Sequence, residues 1–217
     1  MREFYLKMIR VLIADDHPLV REGLKRILEA YPDIVVTGEA GSGQELLKKA
    51  RENDYDVALL DISMPGRNGL DVLKQLKNIK PDLHILVLSI FPEELYGVRA
   101  IKAGASGYLT KKSSPEKLIT AIKKVAKGEK YINHSLSEKL AFYIKTDAKK
   151  SLHENLSDRE YQVMCMIASG KTVKEIAEEL SLAVSTVSTH RAHILEKMNM
   201  KNNAELTYYA IKEGLIL

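Results

Sequence analysis

The stretch Asp56-Val57-Ala58-Leu59-Leu60-Asp61-Ile62-Ser63-Met64-Pro65-Gly66 decides how the chain is read. Val57 to Leu60 is a short, unbroken apolar run, the pattern of a strand buried on both faces of a parallel sheet. A carboxylate follows at once, and Pro65-Gly66 then turns the chain. Asp61 is thereby set at the carboxyl end of a central strand, the edge where open α/β sheets gather their chemistry. Taken alone, an aspartate after a strand is more often a cap for a loop or helix. Its company elsewhere in the chain decides against that.

Upstream, residues 9–14 (IRVLIA) read as a buried strand ending in Asp15-Asp16. His17 and Pro18 open a helix through about Ala30, with Leu19, Leu24, Ile27 and Leu28 as its apolar face. Residues 34–40 give a second strand, and Ser42 caps a helix carrying Leu46, Leu47 and Ala50. Downstream lie a helix over 69–76, a strand over 84–88 ending at Ser89, and a helix over 92–103. A strand over 106–109 ends in Thr110-Lys111, and Ser114-Pro115-Glu116 opens a last helix that Gly128 stops. Five strands alternating with five helices predict an α/β fold with a doubly wound parallel sheet, over residues 9–130. Residues 1–8 fit no strand and precede a cleaner start at Met8.

Asp15, Asp16, Asp61, Ser89 and Lys111 all fall at carboxyl ends of strands, which share one edge in a parallel sheet. Three carboxylates gathered there repel one another, so a hard divalent cation with oxygen ligands and water, Mg²⁺, is their natural neutraliser. A lysine and a hydroxyl beside the metal can hold an anion. The set has the parts of a phosphoryl-transfer site around a nucleophilic carboxylate.

The pattern changes beyond Gly128. Residues 131–154 read as a partly helical linker, polar and lysine-rich, with a weak apolar stripe of Leu136, Leu140 and Ile144 and with Lys145, Lys149 and Lys150 in a solvated stretch. Residues 155–217 form an all-α unit of four helices. Ser157 caps the first, with Glu160 completing a capping box. A short helix over 174–180, a tight turn and a longer helix over 185–198 follow, and Asn203 starts the last. Two helices about a short turn, braced by two more, make a helix-turn-helix.

Charge does not locate a nucleic-acid-binding half. The chain carries a formal net +4, yet residues 151–217 hold seven Lys/Arg against nine Asp/Glu. Only a local cluster of Lys171, Lys174, Arg191, Lys197 and Lys201 around the helix-turn-helix favours an anionic partner. The single cysteine, Cys165, forms no internal disulfide and suits a reducing cytoplasm; it reads as an inert core thiol. No apolar run approaches a membrane span and no signal peptide opens the chain, so no membrane partner is expected.

With these residues in place, the first unit resembles the receiver domain of bacterial two-component response regulators. The resemblance rests on Asp15-Asp16, on Asp61 followed by Met64-Pro65-Gly66, on Ser89, and on Gly107-Tyr108-Leu109-Thr110-Lys111. It implies that Asp61 accepts a phosphoryl group from a sensor histidine kinase. It further implies that Asp15, Asp16, Asp61 and the Ser63 backbone carbonyl hold Mg²⁺, that Lys111 contacts the phosphoryl oxygens, and that Ser89 and Tyr108 act as a switch pair.

The second unit is similar to the output domain of NarL/FixJ-type (LuxR-like) regulators, through Leu156-Ser157-Asp158-Arg159-Glu160, Gly170, Lys174-Glu175-Ile176-Ala177, Ser185-Thr186-Val187-Ser188-Thr189-His190 and Lys197-Met198. The resemblance implies double-stranded DNA as partner. The 185–198 helix would lie in the major groove, with Ser188, Thr189 and Ala192 at the bases. A homodimer would be paired through the last helix, with Leu206 and Tyr209 as candidates. Arg191, Lys171 and Lys174 are candidates for phosphate contacts. The family's common lysines are replaced at Ser188 and Ala192, and its arginine after the groove helix by Asn202-Asn203.

Two other functions compete. An aspartyl-phosphate phosphatase of the haloacid dehalogenase type needs a second acid two residues after its nucleophile, where this chain has Ser63. A DNA-binding regulator independent of phosphorylation would leave the acidic site without a purpose.

Overall fold

The structure is a computed structural model that describes residues 8–133, 136–138, 140 and 151–216. The chain divides into two compact units, Met1–Glu138 and Lys139–Leu217. In the first, strands β1 (Ile9–Ala14), β2 (Ile34–Ala40), β3 (Val57–Leu60), β4 (His84–Ser89) and β5 (Gly107–Thr110) form one sheet in the order β2-β1-β3-β4-β5. All four pairings are parallel. Helices α1 (Pro18–Glu29), α2 (Gly43–Glu52), α3 (Gly69–Ile79), α4 (Glu93–Lys102) and α5 (Pro115–Val125) provide the crossovers.

Alternation along the strands feeds two cores. Val11, Ile13, Val57, Leu59, Leu86 and Leu88 meet Leu24 and Leu28 of α1 and Leu118 and Ile122 of α5 on one face. The intervening residues, such as Leu12, Ala58 and Leu60, are equally buried and point to the opposite face. Continuous burial, not alternation of polar and apolar residues, is what the VALL run signalled.

One expectation for α1 fails. Leu19 is 85% exposed, while Leu24 and Leu28 are buried and Val20 and Ile27 pack against them. Val20, Leu24, Ile27 and Leu28 share a single helical stripe; Leu19 lies one residue out of its phase. Helix α3 also runs one turn beyond the expected 69–76.

Residues at either end of the expected 131–154 linker are packed. Tyr131 makes a parallel bridge to Gly107. Residues 136–138 are helical, and Leu136 is buried where a side chain on Gly97 would otherwise lie. At the other end a 3-10 turn, Leu152–Asn155, buries His153. Ile144, Lys145, Lys149 and Lys150 lie outside the described residues, as do residues 1–7.

The second unit comprises α6 (Asp158–Ala168), α7 (Val173–Glu179), α8 (Val184–Lys197) and α9 (Asn203–Lys212). Helix α6 is the central element, buried along its length from Glu160 to Ala168, and α7, α8 and α9 pack against it. The Ser157–Glu160 capping box is present. A second, Thr172–Glu175, starts α7 with the same spacing.

Candidate functional site

Backbone hydrogen bonds align the strand ends of the first unit. Asp61 N–H donates to Ala14 O (2.9 Å), Asp15 N–H to Ala40 O (3.1 Å) and Lys111 N–H to Ser89 O (2.7 Å). The side chains that follow these ends therefore converge. Lys111 Nζ stands 2.6 Å from both Asp15 Oδ2 and Asp61 Oδ2, with both carboxylates buried. Ser63 N–H donates to Asp61 Oδ1 at 2.7 Å.

Burial pushes the Asp61 carboxyl above the usual carboxylate range, and the Lys111 charge offsets this only in part. For Lys111, burial works against the ammonium. The facing Asp61 and Asp15 carboxylates nevertheless prevail and hold its pKa above the ordinary lysine value.

Asp16 completes the acidic corner. Asp16 Oδ1 is shielded from solvent and accepts no hydrogen bond among the described residues. Asp15 Oδ2 faces Lys111, and the Asp16 oxygen faces His17 Nδ1 at 3.1 Å. Buried anionic oxygens with spare lone pairs are a fit donor set for a hard dication. Ligand atoms of Asp15, Asp16 and His17 lie within 4.8 Å of one another. Asp61 stands outside that group, tied to Lys111 and to Ser63 N–H.

Ser89 and Tyr108 are both buried, and both address Phe91. Ser89 Oγ accepts from Phe91 N–H at 3.2 Å, and Tyr108 OH donates to Phe91 O at 3.0 Å. Ser63 Oγ and Ser89 Oγ are 3.4 Å apart. The Phe91 ring packs on Tyr96 of α4, with centroids 4.8 Å apart. The sequence carries no signal at Phe91, because its part is played by its backbone.

In the second unit, Val187, Ile194 and Met198 bury one side of α8, and Ser185, Ser188, Thr189 and Ala192 are exposed on it. Thr189 Oγ1 donates to Ser185 O at 3.0 Å. Lys174 is exposed, whereas Lys171 is paired with Glu179. Arg191 Nε donates to Asn203 Oδ1 at 2.6 Å. Lys197, which the sequence grouped with the surface cluster, instead holds buried Glu160 at 2.7 and 2.8 Å.

One pairing candidate on α9, Leu206, needs correction. Leu206 is fully buried in its own domain, and Tyr209 OH is 2.9 Å from His153 Nδ1. The exposed apolar side chains there are Tyr208 (71%) and Ile211 (60%).

Residues 11–123 match the response regulator receiver domain, and residues 154–210 match the bacterial regulatory proteins of the luxR family. The chain belongs to the NarL/FixJ-type response regulators. It is 39% identical over 209 residues to the response regulator UvrY of Escherichia coli K12, covering 96% of each chain. Response regulator GacA of Pseudomonas aeruginosa is 37% identical over 210 residues, covering 96% of this chain and 98% of that one. Among solved structures, RcsB of Salmonella enterica serovar Typhimurium, bound to the promoter rprA in the presence of a beryllofluoride phosphomimetic, is similar with a TM-score of 0.61. The two are 26% identical over 93% of this chain and 98% of that one. ChrA, from a heme-sensing two-component system, gives 0.52 at 30% identity over 97% of this chain and all of the other.

This response regulator therefore joins a receiver to a LuxR-type DNA-binding domain, as two-component regulators of transcription do. Its five-stranded parallel sheet and C-terminal helical domain are those expected from the sequence. No helix among the described residues is long and apolar enough to cross a membrane.

Proposed function

We propose that the regulator works in the cytoplasm and takes a phosphoryl group from a phosphohistidine of a sensor kinase onto the Asp61 carboxylate. The N–P bond breaks as the O–P bond forms, and the imidazole leaves. The observation that carries this is Lys111 Nζ placed 2.6 Å from Asp61 and from Asp15, a cation held against the acceptor before any phosphoryl group arrives. Asp15, Asp16, Asp61 and the Ser63 carbonyl would hold Mg²⁺, which when bound supplies charge neutralisation for the incoming dianion. Ser89 and Tyr108 report the new charge through the Phe91 backbone, one on its N–H and the other on its carbonyl.

The output step follows from α8. Its exposed Ser188, Thr189 and Ala192 meet base edges in the major groove, and Lys174, Lys171 and Arg191 meet phosphates. The last two first exchange Glu179 and Asn203 for the backbone of DNA. A second copy pairs through α9, with the exposed Tyr208 and Ile211 beside Tyr209 in place of the buried Leu206. Phosphorylation shifts an existing equilibrium toward this dimer.

Incubation with acetyl phosphate and Mg²⁺ tests the acceptor: one phosphoryl mass is expected, and none on Asp61→Asn. Equal labelling of that variant would refute the assignment. Asp16→Ala should lose most labelling at limiting Mg²⁺ while staying folded.

A further inference from the structure

We propose that His17 is a direct ligand of the cation in the acidic pocket, and that its nitrogen biases the site toward Mn²⁺ and other first-row transition ions over Mg²⁺. The inference rests on the pocket being a metal site and goes beyond it in naming a ligand and an ion preference.

Distances carry the proposal. His17 Nδ1 is 3.1 Å from Asp16 Oδ1 and 3.3 Å from Asp15 Oδ1. Neighbouring ligands of an octahedral ion with bonds of about 2.1 Å stand about 3 Å apart, so His17 Nδ1 already stands at the spacing of a neighbouring ligand from both carboxylates. The backbone holds the residue in this place. His17 N–H donates to Asp15 Oδ1 at 2.9 Å, and Pro18 begins α1 immediately after. His17 occupies the N-cap position of α1, yet its ring caps no backbone N–H, so the imidazole is not committed to the helix.

Its neighbours are already engaged in ways that leave an opening at Asp16. Lys111 faces Asp15 Oδ2 and Asp61 Oδ2, and Arg21 Nη1 donates to the Asp15 carbonyl at 2.7 Å. Asp16 Oδ1 is shielded from solvent and accepts no hydrogen bond among the described residues. The ring itself is mostly exposed, so an ion in solvent can reach it.

The chemistry gives the direction of the preference. An all-oxygen set suits Mg²⁺, and one imidazole nitrogen shifts a site toward transition ions, whose affinities rise from Mn²⁺ onward along the first row. Neutral imidazole with its proton on Nε2 presents the Nδ1 lone pair to the metal.

Manganese is the probe, because its spin reports both occupancy and ligand type. The full-length protein is titrated with Mn²⁺ by electron paramagnetic resonance, with Mg²⁺ as competitor, alongside His17→Ala, His17→Gln and Asp16→Ala. Electron spin-echo modulation of bound Mn²⁺ should show a directly coordinated ¹⁴N in the wild type and none in either His17 variant. Both should lose about tenfold or more in Mn²⁺ affinity, with Mg²⁺ affinity changed less than about twofold. Absence of the ¹⁴N signal in the wild type, or an unaltered Mn²⁺/Mg²⁺ ratio in the variants, means that the ring merely rests on the carboxylates and overturns the proposal. A wild type that binds neither ion, or an Asp16→Ala variant that binds both normally, would instead overturn the metal pocket on which it rests. Circular dichroism confirms that each variant is folded.

Discussion

Lys111 sits between two buried carboxylates, and its charge is the one nearest to Asp61. Lys111→Met keeps the apolar stem and removes the cation. Labelling by acetyl phosphate should slow by about tenfold or more, equivalent to about 1.4 kcal/mol of barrier, while Mg²⁺ affinity holds or rises because a competing cation is gone. Undiminished labelling would remove Lys111 from the transfer step. The readers on α8 make a second test at this scale. Thr189 has its hydroxyl proton on Ser185 O, so it offers a base chiefly its methyl group and an oxygen acceptor. A thymine methyl is the matching partner. Thr189→Ala should alter preference at one position of each half-site by about 1 kcal/mol. Lys174→Ala should weaken all sequences alike and lower the salt slope by about one. Selection from a random DNA library at several salt concentrations separates the two. The residues of the acidic pocket were legible because each follows a recognisable strand. The partners of Arg191 and Lys171 were not, since Asn203 and Glu179 belong to other turns of the fold and no spacing rule links them. The sequence marks His17 only as a helix opener, because nothing in Asp-Asp-His-Pro tells which way an N-cap ring turns.

Elements were legible wherever one face is uniformly buried, and blurred where helical phase decides. The VALL run and the Ser157–Glu160 box correspond to β3 and to the start of α6. Leu19 misleads because an apolar residue one step off the stripe looks like part of it. Packing between elements was invisible, and Gly69 shows why. A Cβ there would meet Ile62 Cα at 2.3 Å and Ile62 O at 2.7 Å, backbone that cannot swing aside. The first turn of α3 is thus seated directly on the loop that follows Asp61. Gly69→Ala should cost about 1–3 kcal/mol in denaturant unfolding and slow Asp61 labelling, by forcing Ile62 and its neighbour Ser63 to move. A variant with unchanged midpoint and labelling would show that the two segments part easily. In the second unit, Glu160 joins α6 to α8. Burial raises its pKa, but Lys197 and the Ser157 N–H outweigh this and leave it below the ordinary 4.5. A carboxylate so depressed contributes stability above that ordinary value and loses it as pH falls through the folded one. Glu160→Gln should therefore melt lower than the wild type at pH 7, and the gap should close below about pH 4.5. A gap constant down to pH 3 would mean that the pair contributes nothing through its charge.

At the scale of the molecule, the sequence divided the chain by composition and pattern but could not say which apolar residues each unit spends on itself. The four helices of the output domain bury Leu206 and Ala210 of α9 against α6, and they engage Tyr209 with His153. What remains for a second copy is the outer face, Tyr208 and Ile211. Helical spacing alone cannot separate these faces, since both carry large apolar residues three or four positions apart. The distinction makes assembly testable without confusing it with folding. Leu206→Ala should destabilise the domain by about 2–5 kcal/mol, as truncation of a buried leucine does, and should affect dimerisation only through loss of fold. Ile211→Glu leaves the core intact, so melting should stay within about 0.5 kcal/mol of the wild type. It places like charges across a two-fold interface, however, because the same patch occurs on both partners. Light scattering with beryllofluoride, free and on DNA, should give two subunits for the wild type and one for Ile211→Glu. If Ile211→Glu dimerises normally, the pairing surface lies elsewhere, and the exposure of Tyr208 and Ile211 has no part in assembly.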